Sequence, residues 1–204
     1  MYALKIKKSA RLGVNFMRII GGKYRSRVLS EFPGEDVRPT SDRAKEALFN
    51  MLAFRLLGAR VLDLFAGSGA LGLESLSRGA KEVTFNDFSK DSLTIVKKNL
   101  AALKIPVNGE EAKVMQSDYL SCISVLRGKF DVVFLDPPYR FDYGKKALEL
   151  IAQKGLLSAD GVAIYERDRV FEGEIDGLEK YDERKYGKTY FTFFRVKKDE
   201  KDEK

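Results

Sequence analysis

The sequence predicts an α/β fold with a doubly wound, mostly parallel seven-stranded sheet and an antiparallel pair of strands at its carboxyl end. From residue 60 onward, short β-rich runs alternate with helical stretches, a pattern typical of βαβ units. A glycine-rich turn joins the first of these strands to the next helix, as in nucleotide-binding folds. Residues 178–186 and 188–196 flank Gly187 without a helix between them, so we expect them to pair antiparallel at the sheet edge.

Composition narrows the class of protein. The chain has 204 residues, 44% of them hydrophobic and 33% charged, which suits one globular domain. It has no apolar run of the roughly 20 residues that a membrane helix needs, and its first twenty residues lack a signal-peptide pattern. We therefore expect a cytoplasmic protein with no membrane association. Cys122 is the single cysteine and there is no histidine, which argues against a metal site and excludes histidine-dependent nucleophilic catalysis.

Positive charge is concentrated at the amino end. Residues 1–30 contain eight lysines and arginines and no acidic residue, whereas the whole chain carries a net charge of +7. A basic arm on a nearly neutral body indicates a polyanionic partner, because lysines and arginines release counterions from phosphates. The candidate contacts to an RNA backbone are Arg18, Lys23, Arg25 and Arg27. The alternative is that these side chains form a solvated strand face.

The elements follow in order. Residues 1–16 are expected to form a flexible extension, and 17–40 a small basic hairpin with strands at 17–20 and 27–29. The main domain spans 41–196, and the charged tail at 197–204 is expected to be disordered. Apolar residues at helical spacing predict a helix over 41–57. The further strands are predicted at 60–64, 82–86, 112–116, 130–135 and 161–166, and the helices between them at 70–79, 89–102, 118–127 and 142–153.

The glycine-rich turn has the pattern G-x-G-x-x-G, formed by Gly67, Gly69 and Gly72. Glycines allow a ligand to approach the backbone closely, and the N–H groups at a helix start favour a negative group. Asp87 follows twenty residues after Gly67, at the end of the second strand, where a carboxylate can accept hydrogen bonds from ribose hydroxyls. Asp63 would repel a pyrophosphate and attract an amino or sulfonium group. These features favour S-adenosylmethionine over NAD.

A second motif, Asp136-Pro137-Pro138-Tyr139, follows the fourth strand. The carboxyl ends of parallel strands are where ligands bind. The Asp136 carboxylate and the Pro137 carbonyl could hold an exocyclic amine and direct its lone pair at a methyl group. Prolines stiffen the loop and add no competing N–H, and Tyr139 offers a flat face on which an extruded base could stack.

Together these motifs resemble those of class I S-adenosylmethionine-dependent N-methyltransferases. Four further stretches are similar to the RsmD family: Met17-Arg18-Ile19-Ile20-Gly21-Gly22, Arg38-Pro39-Thr40-Ser41-Asp42-Arg43, Glu46-Ala47-Leu48-Phe49-Asn50 and Tyr186-Gly187-Lys188-Thr189. The resemblance covers residues 17–196. It implies a Rossmann-like methyltransferase fold and an activity that methylates N2 of a guanine in 16S ribosomal RNA, the family's site being guanine 966. It also implies small-subunit rRNA or an assembling 30S particle as partner, and a monomer.

The resemblance also implies roles for individual residues. Those expected to bind the cofactor are Asp63, Phe65, Gly67, Gly69, Asp87 and Asp118. Those expected to hold the guanine are Asp136, Pro137 and Tyr139. Asp118 is an equally good helix N-cap, and Asn86 competes with Asp87 as the side chain that faces the ribose.

Two further positions stay open. Arg38 could contact RNA in a loop bordering the active site, or it could simply precede the helix. Glu166 ends the fifth strand at the ligand-bearing edge, where an ordinary strand-end carboxylate is the favoured interpretation.

Three other functions fit parts of the pattern. DNA adenine-N6 methylation uses the same amine chemistry, but no insert between the motifs is large enough for a sequence-reading domain. An NAD-dependent oxidoreductase would use the glycine loop but lacks an evident proton donor. A non-catalytic RNA-binding protein would bind RNA without binding the cofactor. The methylated nucleoside and a titration with both cofactors would distinguish these functions.

Overall fold

The computed structural model describes residues 17–31, 42–138 and 142–198. Its helices are α1 (Asp42–Met51), α2 (Ala53–Leu56), α3 (Ala70–Ser77), α4 (Lys90–Ala102), α5 (Tyr119–Val125) and α6 (Tyr143–Gln153). Its strands are β1 (Arg60–Asp63), β2 (Glu82–Asp87), β3 (Ala112–Gln116), β4 (Phe130–Leu135), β5 (Leu157–Arg167), β6 (Leu178–Tyr186) and β7 (Thr189–Val196). No helix in these three ranges is long and apolar enough to cross a membrane.

The seven strands form one sheet in the order β3-β2-β1-β4-β5-β7-β6. The first five strands are parallel, and β7 pairs antiparallel with both β5 and β6. The predicted α/β class and the antiparallel carboxyl-terminal pair are therefore confirmed. The order of the strands reverses between β1 and β4, which places a crevice at the carboxyl ends of these two strands.

Hydrophobic cores lie on both faces of the sheet. On β4, Val132 and Phe134 belong to the core that α1, α3 and α4 cover, whereas Val133 and Leu135 belong to the core beneath α5 and α6. A strand buried on both faces needs apolar residues at successive positions. The continuous apolar run of β4 therefore marks a central strand.

Two elements differ from the prediction. The helix expected over 41–57 is divided at Leu52 into α1 and α2. The basic hairpin is shorter than expected: Arg18 and Val28 form a single antiparallel bridge, with the Leu29 amide donating to the Met17 carbonyl at 2.8 Å. We call residues 17–31 the N-terminal segment.

Some predictions fall on residues outside the described ranges. These are the flexible extension at 1–16, the last part of the hairpin region at 32–40, and residues 199–204 of the charged tail.

Candidate active site

A cavity of about 1000 Å³ opens at the carboxyl ends of β1 to β5. The loops after β1, β2, β3 and β4 form most of its wall, and the end of β5 and the first residue of α6 complete that side. Met17, Glu31 and Lys45 line it from the amino-terminal part of the chain. The cavity lies at the point where the strand order reverses, which is the usual ligand site of an open α/β sheet.

The glycine loop after β1 depends on left-handed backbone. Gly67 and Gly69 have φ angles of +53° and +81°, which side chains disfavour. Gly67 lines the cavity, and a Cβ atom there would meet open space. Gly69 lies behind the wall, where a Cβ atom would come within 3.1 Å of Val96 and 3.4 Å of Phe85. Gly69 is the N-cap of α3 and does not line the cavity itself, so its assignment to the cofactor site stays a prediction.

Asp63 and Gly72 connect the end of β1 to α3. The Gly72 amide donates to Asp63 Oδ2 at 3.0 Å, and Asp63 lines the cavity although only 2% of it is exposed. Burial raises the pKa of Asp63 to about 7, and the negative charges of Asp136 and Asp87 act in the same direction. A Cβ atom on Gly72 would lie 2.2 Å from the Phe85 ring. The third glycine of the motif thus permits close packing of α3 on β2.

Asp87 joins β2 to the glycine loop. Its Oδ2 accepts the Gly67 amide and its Oδ1 accepts the Ser89 amide, both at 2.8 Å. Asn86 is buried, and its side-chain amide donates to the Leu64 carbonyl at 3.0 Å. Both residues line the cavity, but Asn86 is tied to the ends of neighbouring strands, whereas Asp87 holds the loop beside the open space.

Asp118 occupies the N-cap of α5, where its Oδ1 accepts the Ser121 amide at 3.0 Å. These bonds with Ser121 lower the pKa of Asp118. The same residue lines the cavity. The N-cap role weighed from the sequence is thus present, and it is compatible with a place on the cavity wall.

Asp136 and Pro137 follow β4 directly and line the cavity beside Pro138. Burial raises the pKa of the Asp136 carboxyl to about 7. Pro137 is buried, whereas Pro138 is exposed. Tyr139 lies outside the described residues.

Aromatic side chains form part of the wall. The ring centroids of Phe65 and Tyr119 lie 5.7 Å apart, and those of Tyr119 and Tyr143 lie 5.2 Å apart. Phe88, which is 78% exposed, also lines the cavity. Of these four aromatic residues, only Phe65 was predicted from the sequence. Phe88 and Tyr119 directly follow the predicted acids Asp87 and Asp118 in the sequence, and this adjacency could have marked them.

The N-terminal segment is held against α3. Glu74 is fully buried and accepts the amides of Ile20 at 2.7 Å and Gly21 at 2.8 Å. Lys45 of α1, which is 2% exposed, donates from Nζ to the Arg18 carbonyl at 2.5 Å. Burial lowers the pKa of Lys45, and the Glu74 charge opposes this effect. The segment therefore forms part of the cavity wall through its two ends, which the sequence did not reveal.

The predicted RNA contacts Arg18, Lys23, Arg25 and Arg27 are all exposed on the N-terminal segment. Arg18 forms an ion pair with Asp42 at 2.9 Å. None of these four residues lines the cavity. Arg38 lies outside the described residues.

Known proteins include relatives of this chain that are similar in sequence and in structure. Ribosomal RNA small subunit methyltransferase D of Haemophilus influenzae is 40% identical over 75% of this chain and 79% of its own length. The Escherichia coli protein of the same name is 39% identical over 82% of each chain. The solved structure of the methyltransferase yhhF of Escherichia coli, 32% identical, superposes with a TM-score of 0.78 over 89% of this chain and 98% of that one.

The family model described as Conserved hypothetical protein 95 matches residues 17–195, which include both the N-terminal segment and the whole sheet. This match and the two methyltransferase D relatives show that the chain belongs to the Conserved hypothetical protein 95 family, the RsmD family of S-adenosylmethionine-dependent methyltransferases.

Proposed function

We propose that this protein transfers a methyl group from S-adenosylmethionine to N2 of a guanine in small-subunit ribosomal RNA, at the site that corresponds to guanine 966 of 16S rRNA. One observation carries the proposal: the glycine loop and the Asp136-Pro137 pair line the same cavity. A methyl donor on the loop and an amine on the pair would then share one space. The names of the curated relatives support rRNA as the substrate.

The residues present fit the donor. Gly67 has open space where a Cβ atom would be, so the backbone can approach a ligand closely. Asp87 stands beside that space, where a free lone pair of its carboxylate could accept a ribose hydroxyl. Asp63, Phe65 and Asp118 line the neighbouring wall. When bound, the donor supplies an electrophilic methyl group on a positively charged sulfur.

The acidic wall suits a cation. Burial and the charges of Asp136 and Asp87 keep the Asp63 carboxyl partly protonated near pH 7. A nearby positive charge favours the ionised form of a carboxyl group. Asp63 can therefore gain a full negative charge as a cationic ligand enters the cavity, which contributes to selection of a sulfonium ligand over a pyrophosphate.

Asp136 and Pro137 would position the amine. The lone pair of a nucleobase amine is delocalised into the ring, so the amine is a weak nucleophile. Two acceptors on its N–H groups orient the lone pair toward the methyl group, and this positioning accounts for most of the expected rate. Pro137 has no N–H that could compete for the acceptors. We assign Tyr139 to stacking on the extruded guanine.

The exposed basic side chains of the N-terminal segment would bind the RNA backbone, and we extend this role to Arg38. The substrate is rRNA or an assembling 30S particle, and the enzyme acts as a cytoplasmic monomer. Phosphate contacts of this kind position the enzyme on the RNA without reading its sequence.

The test is a methyl-transfer assay with labelled S-adenosylmethionine. Immature small subunits and naked small-subunit rRNA from cells that lack the protein serve as substrates, and the labelled nucleoside is identified after digestion. We expect N2-methylguanosine. Methylated adenosine, or no label in either RNA, would contradict the proposal.

The matched variants are Asp136→Ala and Asp168→Ala. Asp136→Ala removes an acceptor from the amine and is expected to lower transfer by at least about a hundredfold, while binding of S-adenosylhomocysteine is retained. Asp168 is an exposed acid beyond the end of β5, and its variant should transfer at the wild-type rate. Wild-type transfer by Asp136→Ala would refute the assigned role.

A further inference from the structure

Glu166 is a buried carboxylate on the cavity wall. It lies at the penultimate position of β5, is 3% exposed and lines the same cavity as Asp136. Burying a carboxylate is costly unless it is paired with hydrogen-bond donors or charges. Because Glu166 lines the cavity, its carboxylate can also accept hydrogen bonds from a ligand that enters there.

The strand register places Glu166 next to Asp136. In the parallel β4–β5 pair, Phe134 lies opposite Ile164 and Leu135 opposite Tyr165. β4 ends at Leu135, and continuing the same register by one residue sets Asp136 level with Glu166; both residues line the cavity. Neighbouring strands are about 4.8 Å apart, so two acidic side chains reach the cavity side by side from adjacent strands.

Guanine presents two neighbouring donors on its Watson–Crick edge, the N1–H and the N2 amine. Adenine and 2-aminopurine have a lone pair at N1 instead. An ionised carboxylate only accepts hydrogen bonds, so it pairs with guanine N1–H and repels the N1 lone pair of the other two bases. Enzymes that extrude a base read this edge by hydrogen bonds.

We propose that the Glu166 carboxylate accepts N1–H of the target guanine while Asp136 and Pro137 accept the N2 amine, which makes Glu166 a specificity-determining residue. This inference rests on the proposed function, because it assumes that the cavity receives a guanine. The inference explains why the site accepts guanine but rejects 2-aminopurine, which has the same 2-amino group and lacks N1–H.

The first experiment uses the wild-type protein. Once the methylated position has been mapped, small-subunit rRNA is assembled by ligation with either guanosine or 2-aminopurine at that position, and transfer from labelled S-adenosylmethionine is measured. Both bases carry a 2-amino group. We expect 2-aminopurine to react at least about a hundredfold more slowly, because a site built to pair a donor rejects an analogue that lacks it.

The second experiment compares Glu166→Gln with Glu172→Gln. The glutamine amide can accept N1–H of guanine or donate to N1 of 2-aminopurine. Glu166→Gln should therefore lower the ratio of the guanosine rate to the 2-aminopurine rate by about tenfold or more. Glu172 is an exposed acid outside the cavity wall, and its variant should keep the wild-type preference. A purely structural role for Glu166 would lower both rates without changing their ratio.

The outcomes distinguish a failure of this role from a failure of the proposed function. Equal wild-type rates on the two RNAs, or an unchanged ratio in Glu166→Gln, would overturn the role of Glu166 while leaving guanine methylation intact. Failure of the wild type to methylate the guanosine RNA would instead refute the proposed function. Should Glu166→Gln not fold, Glu166→Asp replaces it: this variant keeps the carboxylate but moves it back by one methylene, and it should also lower the ratio of the guanosine rate to the 2-aminopurine rate.

Discussion

Individual carboxylates at the strand ends have two tasks in this protein. Three of them accept a backbone N–H from the loop or helix beyond the strand: Asp63 at the end of β1, Asp87 at the end of β2 and Asp118 after β3. The same residues line the cavity. Hydrogen bonds from backbone amides to a charged acceptor are among the stronger ones, so these acids hold the loops in position and present their remaining lone pairs to a ligand.

Asp63 differs from the others because it is almost fully buried, which predicts a pH effect on stability. The pKa of Asp63 is about 7 in the folded protein and 3.8 for the free side chain. Since the folded pKa is raised, the contribution of this group to stability is fully present below about pH 4 and is lost as the pH rises through about 7. The wild type should lose a few kcal/mol of stability over this range relative to Asp63→Asn.

Urea unfolding at pH 5 and pH 8 measures this difference. Between pH 5 and pH 8, the unfolding free energy of Asp63→Asn should rise relative to that of the wild type. Asp176→Asn, which changes an exposed acid, provides the control and should show the same difference at both pH values. If the Asp63→Asn difference also stays constant, the ionisation of Asp63 does not limit stability.

At the scale of elements, α3 connects the glycine loop to the N-terminal segment. The helix begins at the loop, and its Glu74 accepts two amides of the segment and pairs with Arg78 at 2.8 Å. On α4, the Asn99 amide donates to the Ser30 carbonyl at 3.2 Å and to the Ser68 carbonyl at 3.0 Å. The segment is therefore fastened to two helices that help to line the cavity.

Replacing Glu74 should release this attachment. Glu74→Ala leaves the amides of Ile20 and Gly21 without their acceptor, and each buried unpaired donor costs about 1–3 kcal/mol. We expect a destabilisation of about 3 kcal/mol in urea unfolding and faster hydrogen exchange at these two amides. Glu149→Ala removes a surface ion pair with Lys146 and should cost no more than about 1 kcal/mol. Equal costs for both variants would show that Glu74 does not fasten the segment.

At the scale of the whole molecule, the acidic and the basic side chains lie in different places. The cavity is acidic, whereas the exposed cations of the N-terminal segment lie outside its wall. The other end of the sheet, at β6, carries mixed charges such as the Arg184–Asp182 pair. This distribution suits an enzyme that binds a polyanion on one side of the cavity and a cationic donor within it.

RNA binding should depend on where positive charge is removed. A triple variant of Lys23, Arg25 and Arg27 to Gln should weaken affinity for small-subunit rRNA and reduce the salt slope by roughly 0.7–0.9 for each phosphate that the protein no longer neutralises. Binding of S-adenosylhomocysteine should be unchanged. The matched control replaces Arg184, Lys185 and Lys188 with Gln, which removes the same charge from the β6–β7 hairpin. Equal reductions in affinity from both triple variants would indicate non-specific attraction and contradict a dedicated RNA surface.

Local patterns in the sequence were sufficient to predict most of the fold. Apolar runs and helical spacing marked β1 to β5 and the helices between them, because burial on one or two faces leaves a periodicity that can be read along the chain. The glycine turn and Asp136-Pro137 were recognised for a similar reason, since each is a short stretch whose chemistry is set by neighbouring residues. The division of α1 from α2 at Leu52 left no such signal.

The sequence by itself thus determined the α/β class, the two motifs and the basic amino end. Tertiary structure decided which residues come together: Glu74 with the N-terminal segment, Tyr119 with Tyr143, and Glu166 with Asp136 on one cavity wall. These contacts join residues far apart in the chain, and they depend on strand order and register. Periodicity reports which face of an element is buried, whereas only the packed sheet determines what that face is buried against.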